Sequence, residues 1–486
     1  MQFGGQTISY GALQAECDRA AAVLWHAWGV RPGDRVAWLG LNHSRQLVLL
    51  FALARIGAVL LPLNFRLAPA EWDLLVTDCA PGHLVHDAAM AQEAGDLAAR
   101  HTALAVHGHD ELMDGAACLP APDAGTASSP VLLVYTSGTT SRPKAALHTQ
   151  ANLLANMRIA AKVQEMTARD RVLTVLPLFH VGGLCIQTLP ALFAGACVLL
   201  HARFSADATL AAIRDDRPTL TLQVPATMKA ITEHAQWPDS DWSCLRAVWA
   251  GSSVLPEPLV RAFHARGIPV CNVYGATETG PFSIALPPDQ AFSHVGSCGW
   301  PAPGVEVRLG QVSAGVGELQ IRAPNVAEAY WPQQPACDAQ GWFATGDLAR
   351  QDADGSYTVV GRARDLIISG GENIHPAEIE DQLATHPAVA ECAAFGLADA
   401  QWGEAVAVAV VFKPGVLADE GELRDYLAQR LARYKLPRHW LRLDALPRTA
   451  LGKVQRQLLA GLTLPASQTS SNTGTPRQAV AVKKLP

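Results

Sequence analysis

The sequence predicts an α/β fold: a large N-terminal domain of parallel sheets layered with helices, a β-barrel-like subdomain, and a small α+β C-terminal domain. Three observations predict it. Short apolar runs alternate with helix-period segments from residue 9 to 63. Similar runs return at Thr219 to Val224 and Ala247 to Ala250, each ending in small or turn residues. From about Gly296 the texture changes to half-exposed strands separated by turns. At 486 residues the chain is too long for one core, so two or three domains are expected.

Ser9 can cap a helix through Leu13, Cys17, Ala21 and Leu24, and Arg31-Pro32-Gly33-Asp34 turns the chain into a strand from Arg35 to Leu41. Asn42 and Ser44 offer caps for the next helix, through Leu47, Leu50, Phe51 and Ala54, and Val59 to Leu63 is the strand after it. Strand–helix–strand at this spacing argues for parallel pairing, and ligands of such sheets sit at the carboxyl ends of strands. Later, Gly304 to Leu309 and Gly317 to Arg322 alternate apolar with polar, and Asp354-Gly355 marks a turn between strands. After Arg364 come a helix from Pro376 to about Ala384, a strand from Ala405 to Phe412 and a helix from Glu420 to Arg433. The stretch from Ala466 to Pro486, rich in Ser, Thr, Pro and Gln, reads as a disordered tail.

A composition of 49% hydrophobic and 17% charged residues is globular, and the net charge of −6 gives no electrostatic reason to bind nucleic acid. Ten cysteines without a C-x-x-C pair signal neither a zinc site nor a disulfide framework, so reduced thiols in a cytoplasmic protein are expected. Met1 to Gly5 has neither the basic nor the apolar region of a signal peptide. Val181 to Leu200 lacks any charge and is long enough to span a bilayer. Gly182, Gly183, Pro190 and Gly195 interrupt it, however, and it reads as a buried helix followed by a strand, Ala196 to Leu200. No transmembrane segment is expected.

One stretch carries a chemical signal. Val131 to Tyr135 favours a buried strand, which runs into Thr136-Ser137-Gly138-Thr139-Thr140-Ser141-Arg142-Pro143-Lys144. Gly138 lets the backbone approach a ligand closely, N–H groups and hydroxyls can point at phosphate oxygens, and Lys144 adds a positive charge. Gly138 to Lys144 has the spacing of a P-loop, but Pro143 lacks an N–H and Ala145 lacks the hydroxyl that would hold magnesium. A P-loop kinase or ATPase is therefore disfavoured, and a phosphate loop of another kind is expected.

Together with Tyr274-Gly275-Ala276-Thr277-Glu278-Thr279, Thr345-Gly346-Asp347, Gly361-Arg362 and Pro447-Arg448-Thr449 followed by Gly452-Lys453, this stretch resembles the adenylate-forming superfamily. The likeness covers about residues 9 to 458. It implies that Thr136, Ser137, Gly138, Thr139, Thr140 and Lys144 hold the β- and γ-phosphates of ATP. Thr277 falls on the α-phosphate, Glu278 on Mg2+, and Tyr274 on adenine with Gly251 and Ser252 close to the base. Asp347 and Arg362 fall at the ribose hydroxyls. Lys453 is implied to meet the α-phosphate and the substrate carboxylate in the first half-reaction, before a mobile C-terminal domain pivots at Arg364. The domains implied are 1–363 for adenylation, 364–463 for the mobile part, and 464–486 for the tail. Ser369-Gly370-Gly371-Glu372-Asn373 resembles the acid–CoA ligase branch, and Gly370 and Gly371 would leave a gap for the thiol of coenzyme A. Ser141 and Ala145 depart from the family's glycines, and Trp300 stands where a smaller or basic residue is frequent.

The expected acyl pocket is His180, Val181, Gly182, Val224, Ala250, Val273, Gly275, Gly280 and Pro281, small and apolar with one imidazole. A small carboxylic acid with a neutral acyl or aryl tail fits such a lining; a second carboxylate or an amino acid does not. His180 reads equally well as a stacking wall or as a core histidine. The function expected is ATP-dependent activation of a fatty or aromatic acid to an acyl-adenylate, then transfer to coenzyme A, by a monomer or homodimer. A carrier-loading adenylation enzyme and a nucleotide-binding pseudoenzyme are the alternatives. Glu278, Asp347, Arg362 and Lys453 together argue against the second.

Overall fold

The computed structural model describes residues 1–114, 119–136, 144–251, 255–313, 315–369, 372–399, 402–416, 418–449 and 452–462. The tail at 464–486 lies outside them.

Two large sheets make the N-terminal part. In an eight-stranded sheet the strands Pro130–Thr136, Val59–Leu63, Arg35–Leu39, His83–His86 and Ala105–Gly108 run parallel, in that order. A nine-stranded sheet has Val270–Tyr274, Ala247–Gly251, Leu220–Gln223, Arg171–Thr174, Cys197–Leu200 and Gln2–Phe3 parallel. Both are buried on two faces, which the near-continuous apolar runs require. On the strand Arg35–Leu39, Val36 and Trp38 join a core shared with Leu173 and Leu199 of the other sheet. Ala37 and Leu39 join Trp72 and Leu97 of outer helices. The charge-free stretch lies in the shared core as a π-helical segment Gly182–Thr188, a short helix Leu189–Phe193 and the strand Cys197–Leu200. Among the described residues no helix is long and apolar enough to cross a membrane.

The π-helical segment opens on His180-Val181, and its carbonyls are met by buried side chains. Asn156 donates to Cys185 O at 2.7 Å, Gln164 to Ile186 O at 2.8 Å and Thr188 to Gly183 O at 2.6 Å. Unmet carbonyls would be costly at this depth, and π turns are frequent at functional sites.

Ser9 caps the helix Tyr10–Ala22, accepting from Ala12 N. The next helix, Ser44–Ile56, is capped by neither Asn42 nor Ser44: His43 accepts from Arg45 N. Asn42 is drawn elsewhere. Its amide bonds Leu176 O, His201 O and Leu178 N, tying the two sheets together.

The β-rich stretch forms a four-stranded antiparallel sheet in the order Glu306–Ser313, Val316–Arg322, Phe343–Gln351, Tyr357–Arg362. Trp300, unexplained by the sequence, serves this sheet's turn. Its indole donates to Asp354 O at 3.1 Å and meets His294 edge-on at 5.1 Å, while His294 reaches the Asp354 carboxylate at 2.9 Å. Beyond Arg362 a five-stranded sheet is built on Val389–Asp399 and Gly403–Phe412, with the helix Pro376–Ala384 against it. The helix expected to reach Arg433 stops at Ala428. After it Leu431 turns back onto Leu427, and Arg433–Lys435 forms a separate short turn beside Glu378.

Candidate active site

The strand Val270–Tyr274 ends in a turn that only glycine permits. A Cβ on Gly275 would lie 1.6 Å from Pro281 O, and one on Gly251, on the adjacent strand, 2.5 Å from Val273 O. Such close backbone approach excludes any side chain. Tyr274 donates its phenol to Asp347 Oδ2 at 2.7 Å, and Asp347 Oδ1 is 2.9 Å from Arg362 Nε. Asp347 and Arg362 face each other on paired strands, and Thr345 Oγ1 accepts from Asp347 N at 3.0 Å. Burial first, and Asp347 next, push the Tyr274 phenol well above its ordinary pKa, so it stays a donor. Asp347 is 7% exposed, too buried for an incidental turn carboxylate.

Thr277–Thr279 is one 3-10 turn, closed by Gly280 at φ 96°. Three contacts hold it. His148 lies 2.9 Å from Thr277 O, Ala327 N donates to Glu278 O at 2.7 Å, and Tyr330 donates its phenol to Glu278 Oε1 at 2.9 Å. The strand Lys144–Thr149 carries His148 and begins with Lys144, whose ammonium lies 5.2 Å from the centre of the Tyr330 ring. Thr136 pairs with Lys144 across the hairpin. Thr136 and Lys144 thus stand at the two mouths of the loop. Ser137, Gly138, Thr139 and Thr140 lie outside the described residues, as do Ser252, Gly370 and Gly371. Among the described residues no three metal-ligating side chains converge. Mg2+ takes one or two carboxylates and completes its shell with phosphate oxygens and water. Glu278 beside Thr277 supplies a carboxylate of that kind.

Lys453 is presented by a tight hairpin: Thr449 N donates to Lys453 O at 2.7 Å, and Gly452 sits at φ 81°. Its ammonium feels the charges of Arg362, Asp347, Glu278 and Arg364, and its own charge is felt at His180. Burial, then Arg362, pull its pKa below the lysine value, with Asp347 and Glu278 acting in the opposite sense. The side chain keeps access to water. Lys229 meets Glu391 at 3.9 Å, and Glu391 meets Arg448 at 3.0 Å, so the C-terminal sheet rests on the N-terminal part close to that hairpin. Arg364 lies in the short turn Ala363–Asp365, between the four-stranded and the five-stranded sheets.

His180 is half-buried at the start of the π-helical segment. Its Nδ1 accepts from Gly182 N at 3.0 Å, which leaves the proton on Nε2, and burial, then Lys453, lower its pKa to about 4. Val181 and Val273 share the main core with Trp249 and Phe282, and Val224 packs against it. Ala250 belongs instead to the cluster of Trp237, Trp242 and Phe263. Alternation along its strand turns Ala250 away from Trp249, so the structure does not bring its side chain together with Val181 and Val273.

Sequence reasoning missed Tyr330 and His148. A tyrosine beside Trp331 in a short exposed-looking run carries no periodic signal; only pairing with the strand after the loop reveals it.

The sequence profile of the AMP-binding enzyme family matches residues 1–331, and that of the AMP-binding enzyme C-terminal domain matches residues 378–453. The chain is 42% identical over 485 residues to an indoleacetate–CoA ligase of Aromatoleum aromaticum, covering 95% of each chain. It is 38% identical over 465 residues to a feruloyl-CoA synthase of an Amycolatopsis species, covering 93% of this chain and 94% of that one. The crystal structure of ATP-bound MatB from Rhodopseudomonas palustris superposes with a TM-score of 0.86 at 31% identity, covering 94% of both chains.

Proposed function

The chain belongs to the AMP-binding enzyme family, and we propose that within it the acid activated is aromatic, with an uncharged tail. The protein is an AMP-forming acid–thiol ligase that uses ATP, Mg2+ and coenzyme A on a carboxylic acid. The observation that carries the assignment of roles is the Tyr274–Asp347–Arg362 cluster, with Lys453 within the electrostatic reach of Asp347, Arg362 and Glu278.

A carboxylate is a poor electrophile, so it must first gain a better leaving group. Its oxygen attacks the α-phosphorus of ATP, the bond to the bridging oxygen breaks, and pyrophosphate departs. Negative charge grows on the α-phosphoryl oxygens, and preorganised positive groups stabilise it. Lys453 is the residue suited to meet that charge and the incoming carboxylate, with the Thr277 hydroxyl beside it. Lys144, Thr136 and the loop between them would hold the departing pyrophosphate. Glu278 is the carboxylate suited to Mg2+, whose role is to draw charge from the phosphate oxygens. Asp347, with Arg362 and Tyr274 fixing it, is built to accept from the ribose hydroxyls. In the second step the thiol attacks the acyl carbon and AMP leaves. Domain rotation at Arg364 would withdraw Lys453 and bring Gly370 and Gly371 to the cleft. The working division is 1–363, 364–463 and a tail at 464–486.

An aromatic acid with an uncharged tail has two supports. The relatives at 42% and 38% identity are named for indoleacetate and ferulate. Val181, Val224 and Val273 are apolar and carry no charge to pair with a second carboxylate, which suits an uncharged tail. The test is a panel of arylacetic, cinnamic-type, medium-chain and long-chain acids with ATP and Mg2+, scored for AMP with and without coenzyme A. Preference for aryl acids by at least ~10-fold in kcat/KM supports the reading, since burying a fitted ring is worth well over 1.4 kcal/mol. A long-chain preference, or ADP as product, contradicts it.

A further inference from the structure

We propose that Tyr330 is a positioning residue for the first half-reaction: its phenol aims the Glu278 carboxylate, and its backbone locks that carboxylate to the strand leaving the phosphate loop.

Tyr330 sits on the two-residue strand Ala329–Tyr330, antiparallel to Lys144–Thr149, with Tyr330 opposite Ala146 and Ala329 opposite Leu147. Trp331 N donates to Ala145 O at 2.8 Å, and the Trp331 indole donates to Asp78 O at 3.1 Å. The backbone of Tyr330 therefore cannot shift without the segment that begins at Lys144. From that fixed base the phenol reaches Glu278 Oε1 at 2.9 Å, and the ring face lies 5.2 Å from the Lys144 ammonium. One side chain thus touches both a carboxylate and a cation that flank the triphosphate site. His148, from the same strand, holds Thr277 O at 2.9 Å. The hairpin of the loop and the Thr277–Glu278 turn are one mechanical unit.

The chemistry follows from what a phenol does to a carboxylate. A single hydrogen bond at one oxygen removes a rotational choice and directs the other oxygen outward. Groups behind a metal ligand typically change metal affinity when removed. The phenol O–H is a donor across the working range, as an ordinary tyrosine is. The ring's face adds a weaker attraction for Lys144 that does not depend on the hydroxyl.

This rests on the reading of Glu278 as the magnesium carboxylate, and the experiment separates the two. Wild type, Tyr330→Phe, Glu278→Gln and the double variant are compared as full chains. Two measurements are made: equilibrium binding of ATP by calorimetry with Mg2+ and with EDTA, and the Mg2+ midpoint of adenylate formation. Tyr330→Phe keeps the ring. It is expected to weaken Mg2+-dependent ATP binding and raise the Mg2+ midpoint by ~10-fold, the lower end for a group behind a metal ligand. Binding in EDTA should stay within ~2-fold, as should thioester formation from supplied acyl-adenylate. In the Glu278→Gln background the same change should add less than ~2-fold, because its effect passes through Glu278. A Glu278→Gln variant with an unaltered Mg2+ midpoint overturns the metal reading and this inference with it. An altered Glu278→Gln beside a silent Tyr330→Phe, or one whose losses are equal with and without Mg2+, overturns the inference alone.

Discussion

Tyr274 and Asp347 are joined by a 2.7 Å hydrogen bond between the end of a parallel strand and the middle of an antiparallel one, across 73 residues of sequence. The bond fixes the carboxylate that the ribose would meet, and Arg362 holds its other oxygen. Asp347→Ala should raise KM for ATP by ~10- to 100-fold, the scale of losing hydrogen bonds to a charged group, with KM for the acid within ~3-fold. Steady-state kinetics with each substrate varied in turn checks this. Equal rises in both constants would mean that Asp347 supports the cleft rather than the nucleotide.

His148 gives a pH signature. It is fully buried, and burial lowers its pKa from 6.5 to about 4. The unfolded chain therefore binds this proton more readily, so its contribution is complete above pH 6.5 and is lost as pH falls toward 4. The span corresponds to about 3 kcal/mol at most. His148→Gln should flatten the decline in denaturant-derived stability between pH 6.5 and 4.5 relative to wild type. Parallel pH curves for the two proteins would contradict the assignment.

The turn after Tyr274 depends on glycine, whereas a glycine in the helix Tyr10–Ala22 is dispensable. A Cβ on Gly275 would be 1.6 Å from Pro281 O, while one on the exposed helical Gly11 meets nothing within 4 Å. Gly275→Ala should abolish adenylation even where soluble protein is recovered. Gly11→Ala should retain activity and gain up to about 1 kcal/mol of stability from helix propensity. Activity assays and denaturant melts decide both, and an active Gly275→Ala would refute the close-approach account.

These positions show what was legible beforehand. The strand Ala247–Gly251 and the helix Pro376–Ala384 are readable from residue pattern, and Asp347 and Arg362, named by motif order, do meet on paired strands. What escaped depends on long-range partners. His43 took the cap because Asn42 was needed between two sheets, and Ala250 faces the outer layer because strand register, not composition, sets direction. Tyr330 gained its role only by pairing with a strand far earlier in the chain.

The contact of the C-terminal sheet can be loosened selectively. Glu391 lies between Lys229, 3.9 Å away on the N-terminal side, and Arg448, 3.0 Å away near the Lys453 hairpin. Glu391→Lys puts three cations together there. Because the groups are partly exposed, adenylate formation should slow by only ~2- to 5-fold, more at low salt than high. Thioester formation from supplied acyl-adenylate should not slow. A loss confined to the second step would reverse the assignment of this contact.

Lys453 is assigned to the first half-reaction, with its ammonium in the field of Glu278 and Asp347. The most direct measurement is single-turnover kinetics of Lys453→Ala, with adenylate formation and thioester formation from supplied acyl-adenylate followed separately. Adenylate formation should fall by at least ~10²-fold, the scale of losing one partner of the transition-state charge, and the second step should stay within ~5-fold. Equal losses in the two steps would contradict the claim.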